Sequence, residues 1–253
     1  MAQTADLFEF LCRMGDNTLV LGHRVSEWCG HAPVLEEDIA LANTALDLIG
    51  QTQMWLGLAA EVEGQGRSAD DLAMLRDAWN FHNVLLVEQP NRDFGVTILR
   101  QFLFDAWHVE MLQRLITSSD QRIAEVAAKS VKEATYHLER SSTTVIALGD
   151  GTGESHNRMQ DALNLLWPYV GELFADDAVD TAMSEEGIAP KSSDLRDAVM
   201  ARITDVLAEA TLQVPDGDFT HKGGKTGFQH TEHLGHMLVA MQNLQRSYPG
   251  ATW

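Results

Sequence analysis

An all-helical bundle is the fold this sequence predicts, and three observations carry it. Apolar residues recur at intervals of three and four along most of the chain, which places them on one stripe of an α-helix. No segment sustains the period-two alternation of a half-buried strand. Glycines, prolines and short charged runs punctuate the chain mainly between the periodic stretches. At 253 residues with 45% apolar composition, the chain can bury one substantial core. A single domain over residues 1–253 is therefore expected, with a core bundle over about 4–148 and additional helices over about 155–248.

The first helix carries Leu7, Leu11, Met14, Leu21, Val25 and Trp28 on one face and is closed by Gly30 and Pro33. The second opens with Glu36, Glu37 and Asp38, whose charges complement the positive end of the helix dipole, and its stripe reads as Leu35, Ala42, Ile49 and Leu56. From Gly64 to Asp93 the period is lost among glycines, charges and Pro90. That stretch reads as irregular chain with helical turns, its Val84–Val87 run being a buried connector. The third helix uses Ile98, Phe102, Val109, Leu112 and Ile116. The fourth uses Ile123, Ala127, Ala134, Val145 and Leu148, with small residues that permit close helix approach, and ends at Gly149–Gly153. A fifth follows with Met159, Leu163, Leu166, Val170 and Leu173, bent by Pro168 and weakened at Asp176–Asp177. Two more close the chain: Asp194–Leu212 and, after a loop with Gly223, Gly224 and Gly227, roughly Thr231–Tyr248.

Charge excludes some partners. With 37 acidic against 18 basic residues the formal charge is -19, which repels a phosphate backbone or an anionic lipid surface, so neither nucleic acid nor membrane is an expected partner. No apolar run approaches the length that spans a bilayer. The two cysteines, Cys12 and Cys29, are too few for a disulfide framework, and Met1–Leu11 lacks a secretory pattern. The cytoplasm is the expected location.

Polar residues inside the apolar stripes are more informative. Asp105 lies three residues from Phe102, four from Val109 and seven from Leu112, which sets a carboxylate in the middle of a buried face. Asp16, His23 and Glu27 share a face of the first helix, Asp47 and Gln51 one of the second, and Glu133 and His137 one of the fourth. Inward carboxylates and histidines on several helices evoke a two-iron bundle, in which two helices each give one carboxylate and two give Glu-x-x-His. Against that template Asp16 and Asp105 fill the single positions, Asp47 half of one pair and His137 half of the other. Gly50 and Ala134 stand where the remaining His and Glu belong. Asp105-Ala-Trp-His108 has a ligating spacing, and Glu133 stands four residues from His137, so His108 and Glu133 are the residues that could rescue a metal. The short ligand count favours a hydrogen-bonded, ion-paired core without metal, satisfied by neighbours such as Arg13, Arg24, Arg100 or Lys132.

With those residues in view, the chain resembles the C subunits of bacterial phenylacetyl-CoA epoxidases, the structural subunits of phenylacetate degradation. The resemblance runs end to end. It rests on Leu19-Val20-Leu21, Glu27-Trp28-Cys29-Gly30-His31-Ala32-Pro33, Leu85-Leu86-Val87-Glu88-Gln89-Pro90-Asn91, Asp105-Ala106-Trp107-His108-Val109, Lys132-Glu133-Ala134 and Tyr136-His137-Leu138. Further matches are Leu173-Phe174, Ser184-Glu185-Glu186-Gly187-Ile188-Ala189, Gly223-Gly224-Lys225, His230-Thr231-Glu232-His233-Leu234-Gly235 and Leu244-Gln245-Arg246. The resemblance implies a ferritin-like, non-catalytic scaffold that pairs with and stabilises a homologous catalytic A subunit. That A subunit holds the di-iron centre and the acyl-CoA pocket. Other members of the complex and a reductase drawing on NADPH complete the monooxygenase, which epoxidises the ring of phenylacetyl-CoA. No cofactor is expected in this chain, and a homodimer is left open.

Two rival readings stay open at this stage: an active di-metal oxygenase using Asp16, Asp47, Asp105, His108, Glu133 and His137, and a stand-alone acyl-CoA-binding protein. For the second, Lys222 and Lys225 among glycines are weak candidates for a CoA phosphate, since no P-loop pattern surrounds them. His230, His233 and His236 recur every three residues without the zinc-protease spacing, and are expected to cap or pack the last helix or to touch a partner. Trp55, Trp79, Phe81, Trp107 and Trp167 exceed one narrow seam's needs, and some are expected where this chain meets another.

Overall fold

The computed structural model describes residues 2–217 and 219–251, and among them no strand occurs. Helices α1 (Ala2–Ser26) and α2 (Leu35–Glu63) form one long antiparallel hairpin. Two short helices, α3 (Ala69–Met74) and α4 (Leu85–Glu88), carry the chain across to the second hairpin, α5 (Phe94–Leu115) with α6 (Gln121–Gly149). These two hairpins make a ferritin-like four-helix core. Around it lie α7 (Gly153–Leu166), α8 (Ala178–Glu185), α9 (Arg196–Glu209) and α10 (Glu232–Ser247), with 3-10 segments at Ala78–Asn80, Trp167–Phe174 and Ser192–Leu195.

α5 sits at the centre because its sequence is apolar on every side. Every residue from Gly95 to Val109 is buried, so its polar members Arg100, Gln101, Asp105 and His108 must find partners inside the protein. Its start is set by Asp93, whose side chain accepts from the Val96 amide. α6 starts in the same way at Asp120, and α7 opens on a capping box between Thr152 and Ser155.

Three readings of the sequence need correction. The stripe of α2 that faces inward is Leu41, Leu48, Thr52, Trp55 and Ala59, joined by Leu56, which is buried as expected; Leu35 is 69% exposed and Ala42 and Ile49 only half-buried. α2 is apolar on two faces, and period alone does not say which one meets the core. The fifth helix ends at Leu166, where Pro168 heads a tighter 3-10 segment. Asp177 does not weaken a helix but begins one: its carboxylate accepts from the Val179 and Asp180 amides as the N-cap of α8.

The chain after α9 is bolted to α4. Gly224 passes so close that a Cβ there would stand 2.5 Å from the Asn83 carbonyl oxygen, which explains a glycine at that point. α10 then lies against α3, with the Gln242 amide donating to the carbonyls of Ala73 and Arg76, both at 3.0 Å.

Candidate functional site

The inward polar residues of the four long helices divide into separate clusters. At the centre, Asp105 is fully buried and its two oxygens accept from neutral donors: Gln101 Nε2 at 2.7 Å and Ser141 Oγ at 2.8 Å. Burial pushes its carboxyl up to about 6, partly offset by His137, Ser141 and Gln101. Of the cations expected to satisfy the inward polar groups, Arg24 does pair with one of them, Glu27, but none of the four bonds to Asp105. Arg13 bridges Glu9 and Asp177, Arg24 joins Glu27 and the Glu88 carbonyl, Arg100 donates to the Gln89 carbonyl and Asn91, and Lys132 is exposed.

Toward the α2–α6 seam, His137 Nε2 stands 3.0 Å from Asp47 Oδ2, and Gln51 Nε2 donates to Glu133 Oε2 at 3.0 Å. The two pairs cross between antiparallel helices one turn apart. Asp47 and Glu133 are half-buried at its edge, while His137 is buried. His108 is fully buried against the rings of Phe104 and Trp107, at 5.0 and 6.3 Å, and neither of its nitrogens has a protein partner. Burial, then the neighbouring His137, pushes it down to about 3, so it is neutral at ordinary pH.

Asp16 does not join this group. Its carboxylate is clasped by Arg76, with Nη1 to Oδ2 at 3.0 Å, and accepts from the His82 amide at 2.9 Å. Arg76 in turn lies over the Phe81 ring, 4.4 Å from its centroid. Asp16 therefore ties α1 to the segment after α3, and none of its hydrogen-bond partners comes from α5 or α6.

The donor set does not fit a two-iron centre. Gly50 presents no side chain, a Cβ built there would meet nothing within 4 Å, and Ala134 is buried without a donor. Among the described residues no three His, Cys, Asp or Glu side chains converge as a metal site would require. The neighbours of His108 are aromatic rings rather than carboxylates. What the arrangement does chemically is hold one protonatable carboxyl and one neutral imidazole inside a packed core, with a carboxylate–imidazole pair at its edge.

A second buried network fixes the glycine-rich loop and overturns the reading of Lys225. Its ammonium donates to both oxygens of Asp180 at 2.8 and 2.6 Å, to the Ala175 carbonyl at 2.9 Å and to Ser192 at 2.8 Å, leaving no donor for a phosphate. Glu172 accepts from the amides of Leu85, Gly223 and Lys225, at 2.7, 2.8 and 3.2 Å. Glu88 accepts from Asn83, from the amide and hydroxyl of Thr231, and from His230 Nδ1 at 2.6 Å. His230 Nε2 faces the Phe81 carbonyl at 3.0 Å, so the protonated ring, with both nitrogens donating, satisfies both contacts. Burial opposes that charge, but Glu88 and the Phe81 carbonyl outweigh it and hold the His230 pKa above its ordinary value. Of the three tail histidines, His230 is thus a buried clamp rather than a ligand. Lys222 remains exposed.

Comparison with known proteins matches these features to a family. The whole chain, residues 1–253, matches the family described as phenylacetic acid catabolic proteins. This chain belongs to that family. Within it, the chain is similar to the C subunit of the 1,2-phenylacetyl-CoA epoxidase of Escherichia coli (strain K12), at 51% identity over 247 residues, 98% of this chain and 99% of the relative. The phenylacetic acid catabolic family and the all-α, ferritin-like architecture inferred from the sequence both hold. Among the described residues no helix is long and apolar enough to cross a membrane.

Sequence reasoning missed three partners that decide the site: Gln101, Ser141 and Arg76. Gln101 was within reach of it, standing four residues before Asp105 on the same helical face, as was Ser141, four residues after His137. Arg76 lies in irregular chain, where no period signals its direction.

Proposed function

We propose that this chain is the non-catalytic structural subunit of a multicomponent phenylacetyl-CoA epoxidase, and that it pairs with and stabilises the di-iron A subunit. The observation that carries this reading is the use of the inward carboxylates. Asp16, Asp47, Asp105 and Glu133 are each engaged by a donor of this same chain. A two-metal enzyme keeps such oxygens for its ions. The relative is itself named as a subunit of an epoxidase, which supports partners of the same complex.

The face that serves the pairing in this account is the outer stripe of α2. Leu35, Ile39 and Leu46 are exposed along one side of that helix, with Leu35 and Leu46 at 69% and 70%, and Tyr136 is exposed on α6. Glu37–Arg140 and Asp47–His137 brace the two helices beneath. An apolar stripe rimmed by such polar pairs suits an interface with another protein. Trp55, Phe81 and Trp107 are spent in the core; of the aromatic residues singled out in the sequence, Trp79 is the one most exposed, at 71%.

The test is reconstitution. Co-expression with the A subunit should yield a complex active on phenylacetyl-CoA when reductase and NADPH are supplied, and omission of this chain should leave the A subunit poorly soluble. Full activity and solubility of the A subunit alone would reject the proposal.

A further inference from the structure

We infer that the small cavity between α1, α5 and the Asp180–Lys225 ion pair binds one ordered water molecule, which accepts from Trp107 Nε1 and Arg13 Nε and so joins the four-helix core to the chain packed around it. The inference does not rest on the structural role proposed above.

The donors carry the argument. Trp107 and Arg13 both line the cavity and are each 5% exposed, yet the Trp107 indole N–H and the Arg13 Nε–H have no acceptor among the described residues. A buried N–H without an acceptor is costly, and folded chains nearly always supply one from protein or ordered water. The other polar groups of the lining are engaged already. Lys225 spends its ammonium on Asp180, Ser192 and the Ala175 carbonyl, and Ser192 donates to Asp180. The two Nη atoms of Arg13 serve Glu9 and Asp177. Among the described lining residues, the indole and Nε nitrogens are the buried polar atoms left without a partner.

Size and charge select the occupant. The cavity measures about 20 Å³, room for a single water and far below the volume of an organic ligand site. Phe10, Met14, Met111 and Leu173 close its apolar side. Around the polar side stand two cations, Arg13 and Lys225, and three carboxylates, Glu9, Asp177 and Asp180, so a halide would meet net negative charge. A metal cation would meet two N–H donors. Water suits both nitrogens, because its oxygen accepts twice and its protons remain to donate. Asn17 Oδ1 is on the same lining and accepts from the Val84 amide at 2.9 Å, with a second lone pair to receive a water proton. Three partners are the usual number for a buried water.

The position of the cavity gives the water a role. Trp107 belongs to α5, Arg13 and Asn17 belong to α1, and Arg13 reaches the head of α8 through Asp177, while Lys225 lies in the glycine-rich loop. A water held there ties α5 to α1 at the point where α1 meets α8 and the loop. It also gives a reason for tryptophan at position 107, since the ring fills the core and the indole N–H holds the water.

The experiment locates the water in the full chain by two independent methods. A high-resolution crystal structure should show one solvent peak within hydrogen-bond reach of Trp107 Nε1 and Arg13 Nε. In solution, the Trp107 Hε1 resonance, assigned by its loss in Trp107→Phe, should give a cross-peak to water with the sign of a long-lived bound molecule. Should that variant fail to fold, selective labelling of the parent chain supplies the assignment. Absence of the solvent peak at a resolution that shows other buried waters, an anomalous peak at the site after a bromide soak, or a Trp107 Hε1 resonance without the cross-peak would each overturn the inference. None of these failures would bear on assembly with the A subunit.

Discussion

Replacing Asp105 with Asn separates a metal-free polar core from a ligand set. In the folded chain the Asp105 carboxyl titrates at about 6 against an ordinary 3.8. Between those values the native state keeps a proton that the unfolded chain has released, so this group's contribution to stability falls as pH rises through the window and is fully lost above it. A displacement of roughly two pH units corresponds to about 3 kcal/mol. Asparagine is neutral throughout and fits the same partners. Its carbonyl can accept from Gln101 and its amide can donate to Ser141, whose hydroxyl already lies 3.3 Å from the Leu138 carbonyl and can donate there instead.

The measurable quantity is the difference in unfolding free energy between variant and parent, from urea titrations at pH 3.5 and pH 7.5. All other groups cancel in that difference. It should be near zero at the lower pH and favour the Asn variant by up to about 3 kcal/mol at the higher one. A variant less stable than the parent at pH 7.5, with the difference growing as pH rises, would refute the reasoning. It would mean that the ionised carboxylate is held by a cation, whether metal or imidazolium.

Other perturbations follow from the buried networks. Lys225→Met leaves Asp180 with its one remaining cation, Arg13, at 3.5 Å, and should cost about 3–5 kcal/mol in urea denaturation. Gly224→Ala should detach the loop from α4, read as proteolytic cleavage between α9 and α10 in the variant and not in the parent. The raised pKa of His230 means that its clamp on Glu88 contributes fully below the unfolded value of 6.5 and is lost as pH climbs through the higher folded value. Amide exchange in α10, corrected for its intrinsic rate, should be faster at pH 9 than at pH 6, and His230→Gln should abolish that difference. Leu46→Asp, at an exposed position, should leave the melting temperature of the isolated chain within about 2 °C while it reduces recovery of the A subunit in co-purification.

Much of the architecture is legible in the sequence because helical period reports burial well when a helix has one apolar face. Asp105 is placed at the centre by its distance from Phe102, Val109 and Leu112, and the half-pairs Asp47–Gly50 and Ala134–His137 by spacing alone. The stretch from Gly64 to Asp93 reads as irregular with helical turns, and contains α3, α4 and a 3-10 turn. α2 misleads because Leu41, Leu48 and Trp55 form one apolar face while Leu35, Ile39 and Leu46 form another. Asp16 goes to the centre on sequence grounds because nothing local distinguishes a carboxylate facing α5 from one clasped by Arg76, sixty residues along the chain. Lys225 among glycines reads as a surface cation; its burial is created by Asp180 and Ser192 from elements the loop reaches only after folding. Asp177 was readable, since Asp-x-x-Asp before an apolar run is a capping-box spacing.

Iron binding by the isolated chain tests the central claim most directly. The purified protein is loaded anaerobically with ferrous iron, desalted and assayed for bound metal, alongside its Asp105→Asn variant. The account predicts well under one iron per chain in both, because the inward oxygens already serve donors of the protein itself. Retention of two irons per chain, lost on the Asp105 substitution, would contradict it.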